Sequence, residues 1–149
     1  MGTRSTITFC EKVDNKIIPY VNIYQQYDGY LEGVGKDLCT WLSKMTILNG
    51  YTLYDKYNDN VANGVGCLVA QYIRNIKPHI GDTYIIPIDS SQEYIDYNYK
   101  IIFDVDNKEP CNAAEVATIM VNNWGKDNFF TGTPKELLIY IDKKKEEEE

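Results

Sequence analysis

Two stretches near the start of the chain, residues 5–12 and 17–26, are rich in Ile, Val, Thr, Phe and Tyr, and Asp14-Asn15 between them supplies turn chemistry. This pattern predicts an N-terminal β-hairpin. Asp28-Gly29 breaks the second strand, and beyond Gly33-Val34-Gly35 the residues Leu38, Trp41, Leu42 and Met45 fall at i, i+3, i+4 and i+7. That spacing predicts an amphipathic helix over about 36–47. Residues 49–63 keep no period and are expected as a loop, laid over the core through Tyr51, Leu53 and Tyr57. A second helical stripe follows in Val65, Leu68, Val69, Tyr72, Ile73 and Ile76, and Pro78 stops it just after Lys77.

From Thr83 the period changes. Residues 84–87 read as a short strand, and Ile95, Tyr97, Tyr99, Ile101 and Phe103 alternate in the manner of a strand with one buried face. Asp106-Asn107 turns the chain. Residues 116–122 read as a further strand, while 113–121 also fit a helix. Thr133-Pro134-Lys135-Glu136 is a helix start with a cap, a proline in the first turn and a capping-box acid, so a last helix is expected from Pro134 to about Lys145, burying Leu137, Leu138 and Ile141. The order β-β-α-α-β-β-β-α does not alternate strictly. It predicts an α+β fold: an antiparallel or mixed sheet of about five strands with about three helices packed on one face. Residues 1–142 are expected as a single domain and 143–149 as a charged tail.

Length is compatible with this: 149 residues bury roughly 70% of the surface that the unfolded chain exposes, enough for one core without staples. With 44% hydrophobic and 25% charged residues, the composition is that of an ordinary globular chain. The 13 tyrosines suit half-buried strand positions and contact surfaces equally, so they do not choose between packing and binding. The net charge of −7, with basic residues scattered apart from Lys143, Lys144 and Lys145, argues against nucleic acid as a partner, because phosphate binding needs a basic face. No apolar run approaches the roughly 18 residues of a membrane span. No signal-peptide pattern opens the chain, so a reducing, cytoplasmic setting is expected.

Candidate chemistry is sparse. Cys10, Cys39, Cys67 and Cys111 are far apart, with no CxxC pair, and are expected as reduced, mostly buried thiols. The one histidine, His79, follows a helix-ending proline and has no evident catalytic partner. Gly35-Lys36 fails as a phosphate loop, because Tyr30 stands where a glycine is needed and Asp37 where Ser or Thr is needed. Asp104 and Asp106 are explained by turn chemistry before cation binding. No catalytic residue, metal ligand or cofactor is therefore assigned. Gly33-Val34-Gly35 and Gly64-Val65-Gly66 each precede a helix, where free N–H groups attract anions, though glycines also serve tight turns. Asp28 and Glu32 are four positions apart, without a sequence argument for an acid–base pair.

The densest polar stretch runs from Gln26 to Gly35. Together with the opening Gly2, Thr3, Arg4 and Ser5, the residues Gln26, Tyr27, Asp28, Gly29, Tyr30, Glu32, Gly33 and Gly35 resemble those of small proteins of phages, large DNA viruses and some bacteria. Leu31 stands where that resemblance leads one to expect proline. Looser likeness continues at 81–87 and 130–136. The resemblance implies a viral or phage-like origin, and a host-cytoplasmic setting with it, but no reaction. Hairpin pairing places residues near 4 opposite residues near 26, so Arg4, Gln26 and Asp28 are expected to form one polar site, with Tyr30, Glu32, Gly33 and Gly35 beside it. The expected function is a non-catalytic binding or accessory protein, acting on a protein partner or by self-association. Two alternatives stand beside it: an enzyme or sensor for a small anionic ligand such as a nucleotide or sugar phosphate, and a virion structural component.

Overall fold

A computed structural model of the chain describes residues 2–91, 94–124 and 126–148. The hairpin forms as β1 (Ser5–Val13) and β2 (Lys16–Gln25). Asp14 and Asn15 between them have φ of 50° and 64°, the left-handed pair of a two-residue turn that follows the natural strand twist. A bulge between Phe9 and Cys10 shifts the register near Pro19. After a π-helical turn at Leu31–Gly35 come α1 (Lys36–Ser43), β3 (Thr46–Leu48), β4 (Val61–Asn63) and α2 (Gly64–Ile76). Then follow β5 (Thr83–Ile86), β6 (Tyr97–Phe103), β7 (Cys111–Asn112), β8 (Ala117–Asn122), β9 (Phe130–Gly132) and α3 (Pro134–Glu148).

The result is an α+β fold with a six-stranded mixed sheet, in the order β5-β2-β1-β6-β8-β9, and a three-stranded sheet, β4-β3-β7. Within the large sheet β1 and β6 run parallel and the other neighbours antiparallel. Alternation sorts its side chains. Ile7, Phe9, Ile23, Tyr99, Ile101, Phe103, Ile119 and Val121 share one core with Leu38 and Leu42 of α1, Leu68 and Tyr72 of α2, and Leu137 and Ile141 of α3. The other face is polar and knitted together. Thr6 donates to Asn98 Oδ1 at 2.7 Å, Asn98 Nδ2 donates to Asn122 Oδ1 at 2.7 Å, and Asn22 Nδ2 donates to the Pro87 carbonyl at 3.3 Å.

Three differences from the sequence pattern have local causes. The first helix ends at Ser43, not near 47, because Met45 directs its carbonyl to the Ala113 N–H at 2.9 Å and the chain continues as β3. The last three residues of the predicted loop at 49–63 form β4, a strand that like β3 is too short to register a period, and Tyr51, Leu53 and Tyr57, expected over the core, are exposed. The stretch 113–122 resolves to strand over Ala117–Asn122. At α3 the capping box is present in both directions, Glu136 N–H to Thr133 Oγ1 and Thr133 N–H to Glu136 Oε1, each 3.1 Å. The helix continues through Glu148, so the Lys143–Lys145 run belongs to its last turns.

The β5 rim of the large sheet is blocked at Thr83, though not at Ile85. Gln26 N–H bonds to the Asp82 carbonyl at 2.9 Å, a pairing that turns the N–H and C=O of Thr83 and Ile85 outward. Thr83 N–H then folds back on the Gly81 carbonyl at 2.7 Å, and the Lys77 ammonium donates to the Thr83 carbonyl at 2.9 Å and the Gly81 carbonyl at 2.6 Å. Pro87 follows the strand immediately.

Candidate functional site

The 26–35 stretch is a tightly packed knot at the open end of the hairpin. Asp28 adopts φ of 57°, and its carbonyl accepts from Val34 N–H at 2.8 Å. Gly29 N–H bonds to the Thr3 carbonyl at 2.9 Å, and a Cβ on Gly29 would stand 2.7 Å from Ser5 Cβ. The Tyr99 hydroxyl donates to the Gly29 carbonyl at 2.8 Å. Burial pushes that phenol well above the ordinary tyrosine range, so it stays a donor. A Cβ on Gly33 would come within 2.2 Å of the Asp28 carbonyl oxygen, and one on Gly35 within 3.1 Å of the Tyr99 hydroxyl. Leu31 is 5% exposed and fills the core. Tyr99→Phe leaves the Gly29 carbonyl without its partner, and equilibrium urea denaturation is expected to register a loss of about 1–3 kcal/mol.

This packing settles where the amides point. Gly33 N–H bonds to the Tyr30 carbonyl at 3.0 Å, Gly35 N–H reaches the same carbonyl at 3.5 Å, and Val34 N–H is held by Asp28. The donors that would cradle an anion are spent on the turn. Arg4 is also engaged: its N–H donates to Asp96 Oδ2 at 2.8 Å, its Nε lies 3.8 Å from the same oxygen, and its guanidinium donates to the Tyr94 carbonyl. The hairpin register does set Ser5 against Gln25, with Arg4 and Gln26 next beyond. The Arg4 side chain nonetheless turns to the β6 flank of β1, whereas Gln26 and Asp28 lie on the β2 flank. Arg4 thus pairs with Asp96 in place of Asp28.

Asp28 and Glu32 also part company. Asp28 lines a cleft of about 500 Å³ with Tyr27, Asp37, Trp41 and Lys44, while Gln25 and Asn75 add amides. Glu32 lines another, of about 610 Å³, with Lys36, Tyr97, Asp142 and Lys145. The two carboxylates therefore line different clefts, and no hydrogen bond links them among the described residues. Tyr30 donates to Asp28 Oδ1 across 3.4 Å, and the Asp28 charge, acting first, holds the Tyr30 phenol above its usual value.

The sequence pattern missed the wall opposite Asp28. Asp37, Thr40, Trp41 and Lys44 occur at i, i+3, i+4 and i+7 and form the cleft-facing stripe of α1, complementary to the buried Leu38, Cys39 and Leu42. Trp41, assigned from spacing to the core stripe, sits at the boundary. Its ring meets Tyr72 edge-on at 5.2 Å and its remaining surface faces the cleft. Neither the Asp37 nor the Lys44 side chain has a hydrogen bond or ion pair among the described residues.

Elsewhere the chemistry is sparse. His79 is exposed, with Nε2 3.6 Å from Asp82 Oδ2. Asp104 and Asp106 border an acidic hollow with Glu11 and Asp14, yet no group of three or more His, Cys, Asp or Glu among the described residues is placed to hold a metal ion. No helix among them is long and apolar enough to cross a membrane. All four cysteines are free: Cys10 and Cys39 are buried, Cys111 is half-buried and Cys67 is exposed. Burial pushes the Cys39 thiol up to about 12, so thiol labelling of the native protein is expected to modify Cys67 first, Cys111 more slowly, and Cys39 only after unfolding.

Compared with protein-family models, with curated proteins and with solved structures, the chain matches none.

Proposed function

We propose that this chain is a small binding or accessory protein that works without catalysis and engages its partner through the cleft between the end of β2, α1 and α2. The observation that carries the reading is convergence. A space of about 500 Å³, within the range of ligand sites, is lined by a half-buried indole and by carboxylates, amides and an ammonium drawn from separate elements. The likeness of Gly2 to Ser5 and of Gln26 to Tyr30 to small proteins of phages, large DNA viruses and some bacteria is in keeping with a virus-encoded setting. The anionic-ligand alternative loses physical support, since Arg4 is held by Asp96 and the amides near Gly33 and Gly35 are bonded within the turn.

The test is partner capture from a cell extract on immobilised protein, with folding of each variant confirmed by circular dichroism. Trp41→Ala is expected to lose capture on the order of 30-fold, the scale of an aromatic hot spot, and Asp28→Ala to weaken it in the same direction. Folded variants that capture as well as the wild type would move the contact surface elsewhere.

One observation favours a second reading, self-association. Leu53, Tyr54 and Tyr57 are 82, 90 and 84% exposed on a turn held by reciprocal Thr52 and Asp55 hydrogen bonds. Tyrosines presented this way are common contact residues. Native mass spectrometry decides: a stable oligomer that Tyr54→Ser returns to monomer supports this route, and a monomer at all concentrations removes it.

A further inference from the structure

We propose that the occupant of the Asp28 cleft is a lysine or arginine side chain of a partner polypeptide, seated against the Asp28 and Asp37 carboxylates and the Trp41 ring. The inference rests on that cleft being the binding site.

Four features of the cleft select a cation. Asp28 comes from the turn and Asp37 from the first turn of α1, so two negative charges reach the space from different elements. Asn75 and Ile76 also line it, which brings up the C-terminal end of α2, where backbone carbonyls carry partial negative charge. Trp41, half-buried in the cleft wall, brings an indole ring, the strongest of the aromatic side chains for an ammonium or guanidinium. The one cation of the wall, Lys44, is seven residues from Asp37, roughly 10 Å along the helix, and forms no ion pair with either carboxylate. It marks the far end of the cleft instead of neutralising the near one.

The polypeptide part follows from the amides. Thr83 donates to Gln25 Oε1 at 2.7 Å, which fixes that side chain and leaves its Nε2 hydrogens as donors at the cleft. With Asn75 across the space, two primary amides are available for a peptide backbone, whose carbonyl and N–H groups they match. Over longer range, the net charge of −7 draws a basic partner toward the protein and repels an acidic one.

The experiment uses the full chain with Trp124→Phe, so that Trp41 is the sole indole reporter. Nα-acetyl-lysine amide, Nα-acetyl-arginine amide, Nα-acetyl-leucine amide, Nα-acetyl-glutamate amide and spermidine are titrated while Trp41 fluorescence and its indole N–H resonance are followed. The lysine and arginine amides are expected to give saturable changes that weaken with salt, with Asp28→Asn and Asp37→Asn each reducing affinity about threefold and Lys44→Gln raising it about threefold, the scale of partly exposed ion pairs. Equal binding of the leucine or glutamate amide, or variants that leave affinity unchanged, would overturn the cationic occupant while leaving the cleft as a binding site. Spermidine binding tighter than either amide would overturn the peptide assignment. If no probe changes the Trp41 signals, the proposal falls. Partner capture that survives Trp41→Ala removes the cleft reading beneath it.

Discussion

Gly33→Ala is expected to cost about 3 kcal/mol of stability, whereas Gly66→Ala is expected to gain about 0.5–1 kcal/mol, although each belongs to a Gly-Val-Gly triplet, Gly33 opening the one ahead of α1 and Gly66 closing the one that starts α2. The environments differ. A methyl group on Gly33 would stand 2.2 Å from the Asp28 carbonyl oxygen, a backbone atom that cannot rotate aside. The same oxygen accepts the Val34 N–H, so relief requires opening the turn that leads into α1. Gly66 lies in the first turn of α2, and beyond its chain neighbours and the adjoining helix backbone no atom comes within 4 Å of its virtual Cβ, so alanine there adds only helix propensity. Gly64 is different again, because φ of +83° penalises any L side chain even in open space. Urea denaturation of the two alanine variants checks the prediction. A neutral Gly33→Ala would mean that the 26–35 knot is far looser than its contacts indicate.

Phe9→Ala is expected to cost about 3–5 kcal/mol, a large share of the 5–15 kcal/mol typical of a domain. Phe9 is 1% exposed at the centre of β1. Its ring lies 6.1 Å from that of Phe103 and 5.3 Å from that of Tyr72, and Tyr72 in turn meets Trp41. Truncation removes the middle of this aromatic row and leaves a cavity under α2. The Trp41 wall of the cleft loses its backing as well, so Trp41 emission should shift to the red in the native baseline, before the unfolding transition. Ile17→Ala on the same sheet, at a site 50% exposed, is expected to stay within about 0.5 kcal/mol. Comparable losses from both variants would contradict the placement of the core.

Local signals were legible and non-local ones were not. The Asp14-Asn15 reversal, the α2 stripe and the Thr133–Glu136 capping box each lie within a few residues, and each forms as its chemistry dictates. Nothing near Ser5 announces that β1 will run parallel to a strand that starts at Tyr97, because parallel pairing is set by packing across the whole chain. The two- and three-residue strands of the small sheet are shorter than any detectable period. At the candidate site, the hairpin rule gave the register of Arg4 and Gln26. The guanidinium found Asp96, a partner just ahead of β6 and 92 residues away in the chain, therefore invisible to a local reading. Asp37 and Lys44 stand off the core stripe of α1, while the spacing places Trp41 in that stripe; their meeting with Asp28 and Asn75 depends on how α1 and α2 are set against the sheet.

The Lys77 ammonium over the rim of β5 governs how copies of this chain can add to one another. Linear polymers of sheet proteins grow when the last strand of one molecule templates the first strand of the next. Here Lys77 occupies the outward carbonyl of Thr83, Pro87 ends the strand, and Pro19 interrupts the stretch of β2 that runs past β5. The opposite rim is β9, three residues long and followed at once by a helix. Concentrated solutions should therefore contain discrete particles of fixed stoichiometry and no filaments, and neutralising position 77 with Lys77→Met is the change expected to let fibrous growth begin.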